Sequence, residues 1–369
     1  MNPRREFISE ANVKKYGYLY NRNDICGEMR RHIKIAFSDF WDGFKEDDNL
    51  FTRLLSEVYD VEISDHPDYL FYSVFGNDHL KFDNCIRVFY TGENQVPDFN
   101  ICDYALGFDH MDFGDRYLRM PIYVLYADKM EKMERRHLLS DDEIDAGRDR
   151  FCSFVYSNNN ASRERNIFFD RLSEYRKVSS GGRFMNNVGG PVADKLEFQK
   201  KHKFSIAFEN TSHPGYVTEK IIDSFAAGTI PIYWGDPRIS ETFNTGAFVN
   251  CHDYDSLDEV VEVVKMIDRD DALYRKMLHT PALQDGADTL SSLCSRLQSF
   301  LQHIVDQPLD EARRYSRDYW AVRYLGQLRS RESAFGWTPR GLADRIYKAT
   351  LWKWRRSSRL LWKIDRLIK

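Results

Sequence analysis

Lys203–Gly235, KFSIAFENTSHPGYVTEKIIDSFAAGTIPIYWG, decides the fold. Phe204–Phe208 is a short apolar run of the kind that makes a buried strand. Pro214 and Gly215 mark a turn in the polar loop that follows. A helix is expected from about Thr218, a residue type suited to an N-cap, burying Ile221, Ile222 and Phe225 on one face. Gly228 stands where a C′ glycine ends a helix, and Thr229–Trp234 reads as a returning strand. Strand, loop, helix and strand in about thirty residues make the βαβ unit of an open parallel sheet. Ligands of such sheets sit off the carboxyl ends of strands, at the N-termini of the following helices.

The loop Glu209–Lys220 therefore faces a ligand. Glu219 and Lys220 fall in the first helical turn. A carboxylate there suits the helix dipole, whereas a lysine opposes it. Lys220 is then either an ordinary solvated lysine or a residue kept for an anionic ligand such as a phosphate.

Working outward, the 369 residues are 42% hydrophobic, enough for two cores of ordinary size. Aromatics reach 14%. Six scattered cysteines with no Cys-x-x-Cys pair argue against a disulfide framework or structural zinc and fit a reducing cytosol. The opening MNPRREFISE has no apolar core, so no signal peptide or membrane anchor is expected there. Strands are expected at 32–37, 61–63, 69–74, 85–90 and 104–108, with a helix over 49–59. A charged stretch near 139–150 reads as a linker. A strand at 151–156 and a helix at 162–175 follow, then a glycine-bracketed, mobile-looking loop (181–190). Beyond the central unit come a strand at 247–250, an amphipathic helix at 256–267 and further helices to about 305. The expected domains are 1–148, 149–308 and a helical, basic extension at 309–369.

Val88–Phe99, VFYTGENQVPDF, ends a strand just before Thr91-Gly92-Glu93-Asn94. Most glutamates so placed are merely solvated, but one entering a cleft is also placed for general-base work. Arg165 starts a helix after a strand and again opposes the dipole; it is either a surface arginine or a bidentate phosphate ligand. Asp253-Tyr254-Asp255 is a formal Asp-x-Asp metal pattern, yet acids are expected at a helix start, and Asp268–Asp271 is a similar helix boundary.

The string Phe208–Gly235 resembles the signature of the α1,3-fucosyltransferase family, inverting enzymes that use GDP-fucose. Tyr104–Tyr123, YALGFDHMDFGDRYLRMPIY, matches in register, so the resemblance covers most of 30–305, with bacterial Helicobacter-type members nearest. It implies a GT-B fold, two Rossmann-like α/β domains facing a cleft, with an acceptor-binding first half and a GDP-fucose-binding second half. It implies Glu93 as general base, Arg165 and Lys220 at the diphosphate, and Asn210, Tyr216 and Glu219 at the ribose, base or fucose. It also implies an oligosaccharide acceptor of LacNAc or Lewis type, fucosylated on N-acetylglucosamine or glucose. No metal is required on this reading, manganese or magnesium being at most stimulatory. The rivals are a transferase of the same fold using another nucleotide sugar and a catalytically dead carbohydrate-binding protein.

The formal net charge of −4 hides an asymmetry. Arg340–Lys369 carries ten Lys/Arg against two Asp, a net +8, which leaves −12 for the rest. Ile346, Thr350, Trp354, Ser357, Leu361, Ile364 and Ile368 recur at helical spacing there, and Trp352, Trp354 and Trp362 are interleaved with Lys and Arg. Family members carry heptad repeats before such a tail, and this chain shows no clean copies. The pattern is that of a helix lying on an anionic membrane face, which implies a cytoplasmic protein held peripherally at the inner membrane. No nucleic-acid module accompanies the charge, so nucleic acid is not an expected partner.

Overall fold

The computed structural model describes residues 30–157, 159–315, 318–338 and 342. The N-terminal 29 residues, and the basic tail apart from Leu342, lie outside the described residues, as does the expectation of an amphipathic membrane helix there.

Two sheets, each wholly parallel, follow one another along the chain. The first contains β1 (His32–Ser38), β2 (Asp60–Ile63), β3 (Tyr69–Tyr72), β4 (Ile86–Tyr90), β5 (Tyr104–Gly107) and β6 (Tyr117–Arg119), in the order β2-β1-β3-β4-β5-β6. The second contains β7 (Arg150–Phe154), β8 (Val178–Ser180), β9 (His202–Phe208), β10 (Ile230–Trp234) and β11 (Val249–Asn250), in the order β11-β10-β9-β7-β8. Strands β3 and β4 are buried at every position, as expected of parallel strands covered on both faces. The helices are α1 (Leu50–Val58), α2 (Ala127–Glu134), α3 (Asp141–Asp145), α4 (Glu164–Tyr175), α5 (Lys195–Gln199), α6 (Glu219–Ala226), α7 (Leu257–Arg269), α8 (Asp271–His279), α9 (Leu290–Asp306), α10 (Leu309–Ala312) and α11 (Tyr319–Trp337). This is the GT-B arrangement.

The central stretch folds as read: β9, α6 and β10 form a βαβ unit, and Gly228 has φ +72° just past α6. Ile221, Ile222 and Phe225 are fully buried, each contributing about 1.5–3 kcal/mol of apolar burial. One detail differs. Thr218 occupies the N-cap position but its side chain makes no capping bond, because its hydroxyl is taken by two charged neighbours described below. The loop expected to look mobile, 181–190, is instead tied down. Asn187 bonds Ser180 N and Val178 O (both 2.8 Å), and Asn186 accepts from Gly190 N (2.8 Å) and Val188 N (3.3 Å).

Five elements escape the sequence patterns: β6, β8, α2, α5 and α3, the last a short helix inside the stretch read as a linker. Both strands have only three residues, too short for a period to show. Helix α2 is polar except for Met130 and Met133, which insert into a core shared by the two halves. There they meet Ile221, Ile222 and Phe225 of α6, and Lys129 pairs with the buried Asp223 at 2.6 Å. Helix α9, expected to close the second domain, packs on the first: Gln298 donates to Leu54 O (3.0 Å), and Leu293, Leu297 and Leu301 join its core. Asp103 then accepts from the backbone N–H of Arg314 and Tyr315, fastening the chain after α10 to the first sheet.

Candidate active site

Strand order places the site. In the second sheet the chain moves from β7 outward to β8, then crosses back to β9 on the other side of β7. The crevice at that reversal opens between the loops after β7 and β9. Arg165 follows β7, and Glu209–Lys220 follows β9.

At the tip of β9, Glu209 is completely buried. Its carboxylate accepts from Thr218 N (2.7 Å), Thr218 Oγ1 (2.7 Å) and Lys220 Nζ (2.9 Å). Lys220 Nζ donates also to Thr218 Oγ1 (2.8 Å) and lies 3.7 Å from Glu219 Oε1. Burial works against the ammonium, but Glu209, then Glu219 and Tyr216, hold it well above the ordinary lysine range. Burial likewise pushes Glu209 up, and Lys220 pulls it down. Three donors on one carboxylate, two from Thr218 and one from Lys220, favour its ionised form against that burial. A lysine at the positive end of a helix is thus explained first by a buried counter-ion, which the sequence reading did not include.

Arg165 is buried, its guanidinium 4.3 Å from the centre of the Tyr156 ring, and Nη1 reaches Asn210 Oδ1 at 3.4 Å. Burial lowers it, while Tyr156 and Glu209 act in the opposite sense. Asn210 in turn accepts from Ser162 N through its backbone carbonyl (2.8 Å), joining the loops after β7 and β9. Glu219 sits beside Lys220. Burial would raise its carboxyl, but Lys220 and Lys195 bring it to about 2, so it is ionised at neutral pH. Lys195, on the short helix α5, also pairs with Asp223 at 2.7 Å; nothing in the local sequence singles it out.

Tyr216 is buried edge-on against Phe108 of the first domain, 5.1 Å between ring centres. Gly215 beside it has φ +85°, and a Cβ there would stand 2.4 Å from Phe108 O, so only glycine lets the two domains approach this closely. Two further bonds cross the cleft: Asn94 Nδ2 to Thr211 Oγ1 (2.8 Å) and His213 Nε2 with Asp109 Oδ1 (2.8 Å).

Glu93 follows β4 and is exposed in the cleft mouth. Its backbone N–H donates to Thr91 Oγ1 (2.9 Å), which fixes the turn. Among the described residues no side-chain hydrogen bond or ion pair engages its carboxylate. Partial burial raises it above the usual carboxylate value, with Lys220 opposing and Glu219 adding to the rise. Glu93, from the first domain, is thus within electrostatic range of Glu219, Lys220 and Tyr216 of the second. The competing acids of the first domain are occupied: Asp103 by backbone donors, Asp109 by His213, and Asp112 by Gly114 N (3.0 Å).

Asp253 accepts from Asn250 (2.7 Å), and Asp270 caps α8 by accepting from Leu273 N (3.0 Å). Asp268 is ringed by Arg176 (2.7 Å) and Lys203 (2.9 Å). Among the described residues no group of three or more His, Cys, Asp or Glu side chains is arranged to hold a metal ion.

Residues 35–126 match the family model of the α-(1,3)-fucosyltransferase FucT N-terminal domain, and 146–281 that of the glycosyltransferase family 10 (fucosyltransferase) C-terminal domain. The α-(1,3)-fucosyltransferase FucT of Helicobacter pylori is 39% identical over 285 residues, covering 67% of this chain and 59% of that protein. The chain thus spans less than two thirds of that relative. A crystal structure of an α1,3-fucosyltransferase is 34% identical and superimposes with a TM-score of 0.67, over 75% of this chain and 91% of that one. An α1,3-fucosyltransferase structure with GDP-fucose matches at 31% identity and a TM-score of 0.64, over 79% and 96% of the two chains. With both halves matched by family models and a relative of known structure covered almost end to end, this chain belongs to the α1,3-fucosyltransferase family, glycosyltransferase family 10.

Proposed function

We propose that the protein is an inverting α1,3-fucosyltransferase that moves L-fucose from GDP-fucose to a hydroxyl of an oligosaccharide acceptor. One observation carries this reading: Asn94, next to Glu93 in the first domain, bonds Thr211 of the second, and Glu93 lies within reach of the Lys220 and Glu219 charges there. The acceptor hydroxyl gives its proton to Glu93 as its oxygen attacks the anomeric carbon. The bond from that carbon to the diphosphate breaks on the opposite face, and GDP leaves with the electron pair. No second carboxylic acid is needed, because a diphosphate is already a good leaving group. Lys220 and Arg165 offset the charge that grows on it.

The acceptor is proposed as N-acetylglucosamine or glucose, modified at O3, within a LacNAc or Lewis-type glycan of lipopolysaccharide or capsule. Two protein cations at the diphosphate support turnover without a required divalent metal, and manganese or magnesium would at most stimulate it. The +8 charge and interleaved tryptophans of 340–369 support peripheral attachment to an anionic inner-membrane face. Truncation before Arg340 should then release the protein from membranes without loss of turnover on soluble acceptors.

The test is release of GDP from GDP-fucose with a panel of Lewis-type acceptors, run with and without EDTA, and NMR of the product linkage. An α-linked product at O3 in EDTA is expected. Equal GDP release without acceptor, or a preference for another nucleotide sugar, would overturn the reading.

A further inference from the structure

Lys220 is two residues past a hydroxyl and eleven past a carboxylate, and it spends most of its hydrogen-bonding capacity on them. An ammonium has three N–H donors. One goes to Glu209 Oε2 and one to Thr218 Oγ1, which leaves one for a ligand. Glu209 cannot move to let this geometry relax. It is completely buried, both its oxygens are bonded, and a Cβ on Gly235 would stand 2.5 Å from its Cγ.

We propose that Glu209 is the positioning residue of the donor site: it fixes Lys220 charged, with its one remaining N–H turned to the diphosphate. This rests on the proposed use of a nucleoside diphosphate sugar. It assigns a role to a fully buried carboxylate that never touches substrate. The simpler roles make different predictions. A carboxylate that merely lies near the phosphates repels them, so removing its charge would tighten GDP. A carboxylate that only holds Thr218 at the helix start would act independently of Lys220.

The groups facing Lys220 decide how a charge change registers. They are Glu209 from β9, Glu219 and Thr218 at the start of α6, Tyr216 from the preceding loop, Tyr156 after β7, and Glu93 and Tyr126 from the first domain. Three are carboxylates, but only Glu209 is within hydrogen-bond distance of Nζ. Without its charge the ammonium stays desolvated with its best partner gone, and it gives up its proton at lower pH.

GDP binding measured by calorimetry on the full chain at pH 7–9 tests this. Glu209→Gln, nearly isosteric, should weaken GDP about tenfold at pH 7, the order lost with one charge-assisted contact. The loss should deepen toward pH 9, while wild type stays flat. Glu209→Asp, which keeps the charge, should restore a flat profile. In a Lys220→Ala background, Glu209→Gln should change GDP affinity by less than about twofold, because both act through one contact. Unchanged or tighter GDP binding by folded Glu209→Gln, or a loss that simply adds to that of Lys220→Ala, overturns the proposal. If Glu209→Gln does not fold, the wild-type profile decides: affinity lost with a midpoint below pH 9 overturns it. A wild type that binds no GDP at all removes the functional reading and this inference with it.

Discussion

On the second-domain side of the cleft, Lys220 and Arg165 are enclosed. One is held by Glu209 and Thr218, and the other is laid on the Tyr156 ring. On the first-domain side, Glu93 stands exposed, positioned through its backbone by Thr91, with no side chain among the described residues bonded to its carboxylate. A group that binds a diphosphate must keep its charge and direction before the ligand arrives, and burial with a counter-ion achieves both. A general base must be open to the hydroxyl it deprotonates. The rigid side and the open side of the cleft therefore correspond to binding and to chemistry.

Glu93→Gln tests that division most severely. Turnover should fall by roughly 10²–10⁴, the usual share of a general base, with GDP affinity changed less than about twofold. If the variant keeps more than about a tenth of wild-type turnover at saturating acceptor, outside that range, Glu93 is not the base. The same residue predicts a pH profile. Its carboxyl is raised by burial, with Lys220 opposing, and only the ionised form accepts a proton. kcat/KM should therefore rise with pH on an acid limb above the ordinary carboxylate value of about 4.3 and level off beyond it. An acid limb at or below that value would contradict the environment described for Glu93.

Lys220→Ala should behave oppositely in part, weakening GDP by about tenfold or more as well as slowing turnover, since the contact exists in ground state and transition state alike. A purely kinetic effect, with GDP affinity intact, would blur the comparison. Arg165→Lys should cost less, about threefold to tenfold in GDP affinity, because charge is kept while the planar stack on Tyr156 and the forked donors are lost. Asn94→Ala removes one bond across the cleft, worth about 1 kcal/mol. It should lower kcat/KM only about fivefold and leave GDP binding alone. A large loss of GDP affinity there would mean that the two sides are not separable.

Much of this was readable along the chain. The βαβ unit at 203–235 has a period-based helix bounded by a glycine, and its two strands are apolar runs, so local pattern and final structure agree. The motif resemblance carried Glu93, Arg165, Asn210, Tyr216, Glu219 and Lys220 into one expected cleft. Other features left no mark. β6 and β8 are too short for an alternation to show, and α2 is a polar helix whose two methionines matter only because α6 lies opposite. α9 carries a leucine stripe that announces a helix, but a stripe does not say which domain it will cover, and here it is the first.

What the sequence determined by itself, then, is what adjacent residues impose on one another: most strands and helices, the turns between them and the βαβ unit at 203–235. Only the tertiary structure decided what depends on residues distant along the chain. It placed Glu209 beneath Lys220, which converts an unfavourable helix-start lysine into half of a buried ion pair. It set Asn94 against Thr211 and Phe108 against Gly215, closing the cleft. The physical reason is that burial and Coulomb energy depend on distances in space, and here those distances are fixed by packing between two domains.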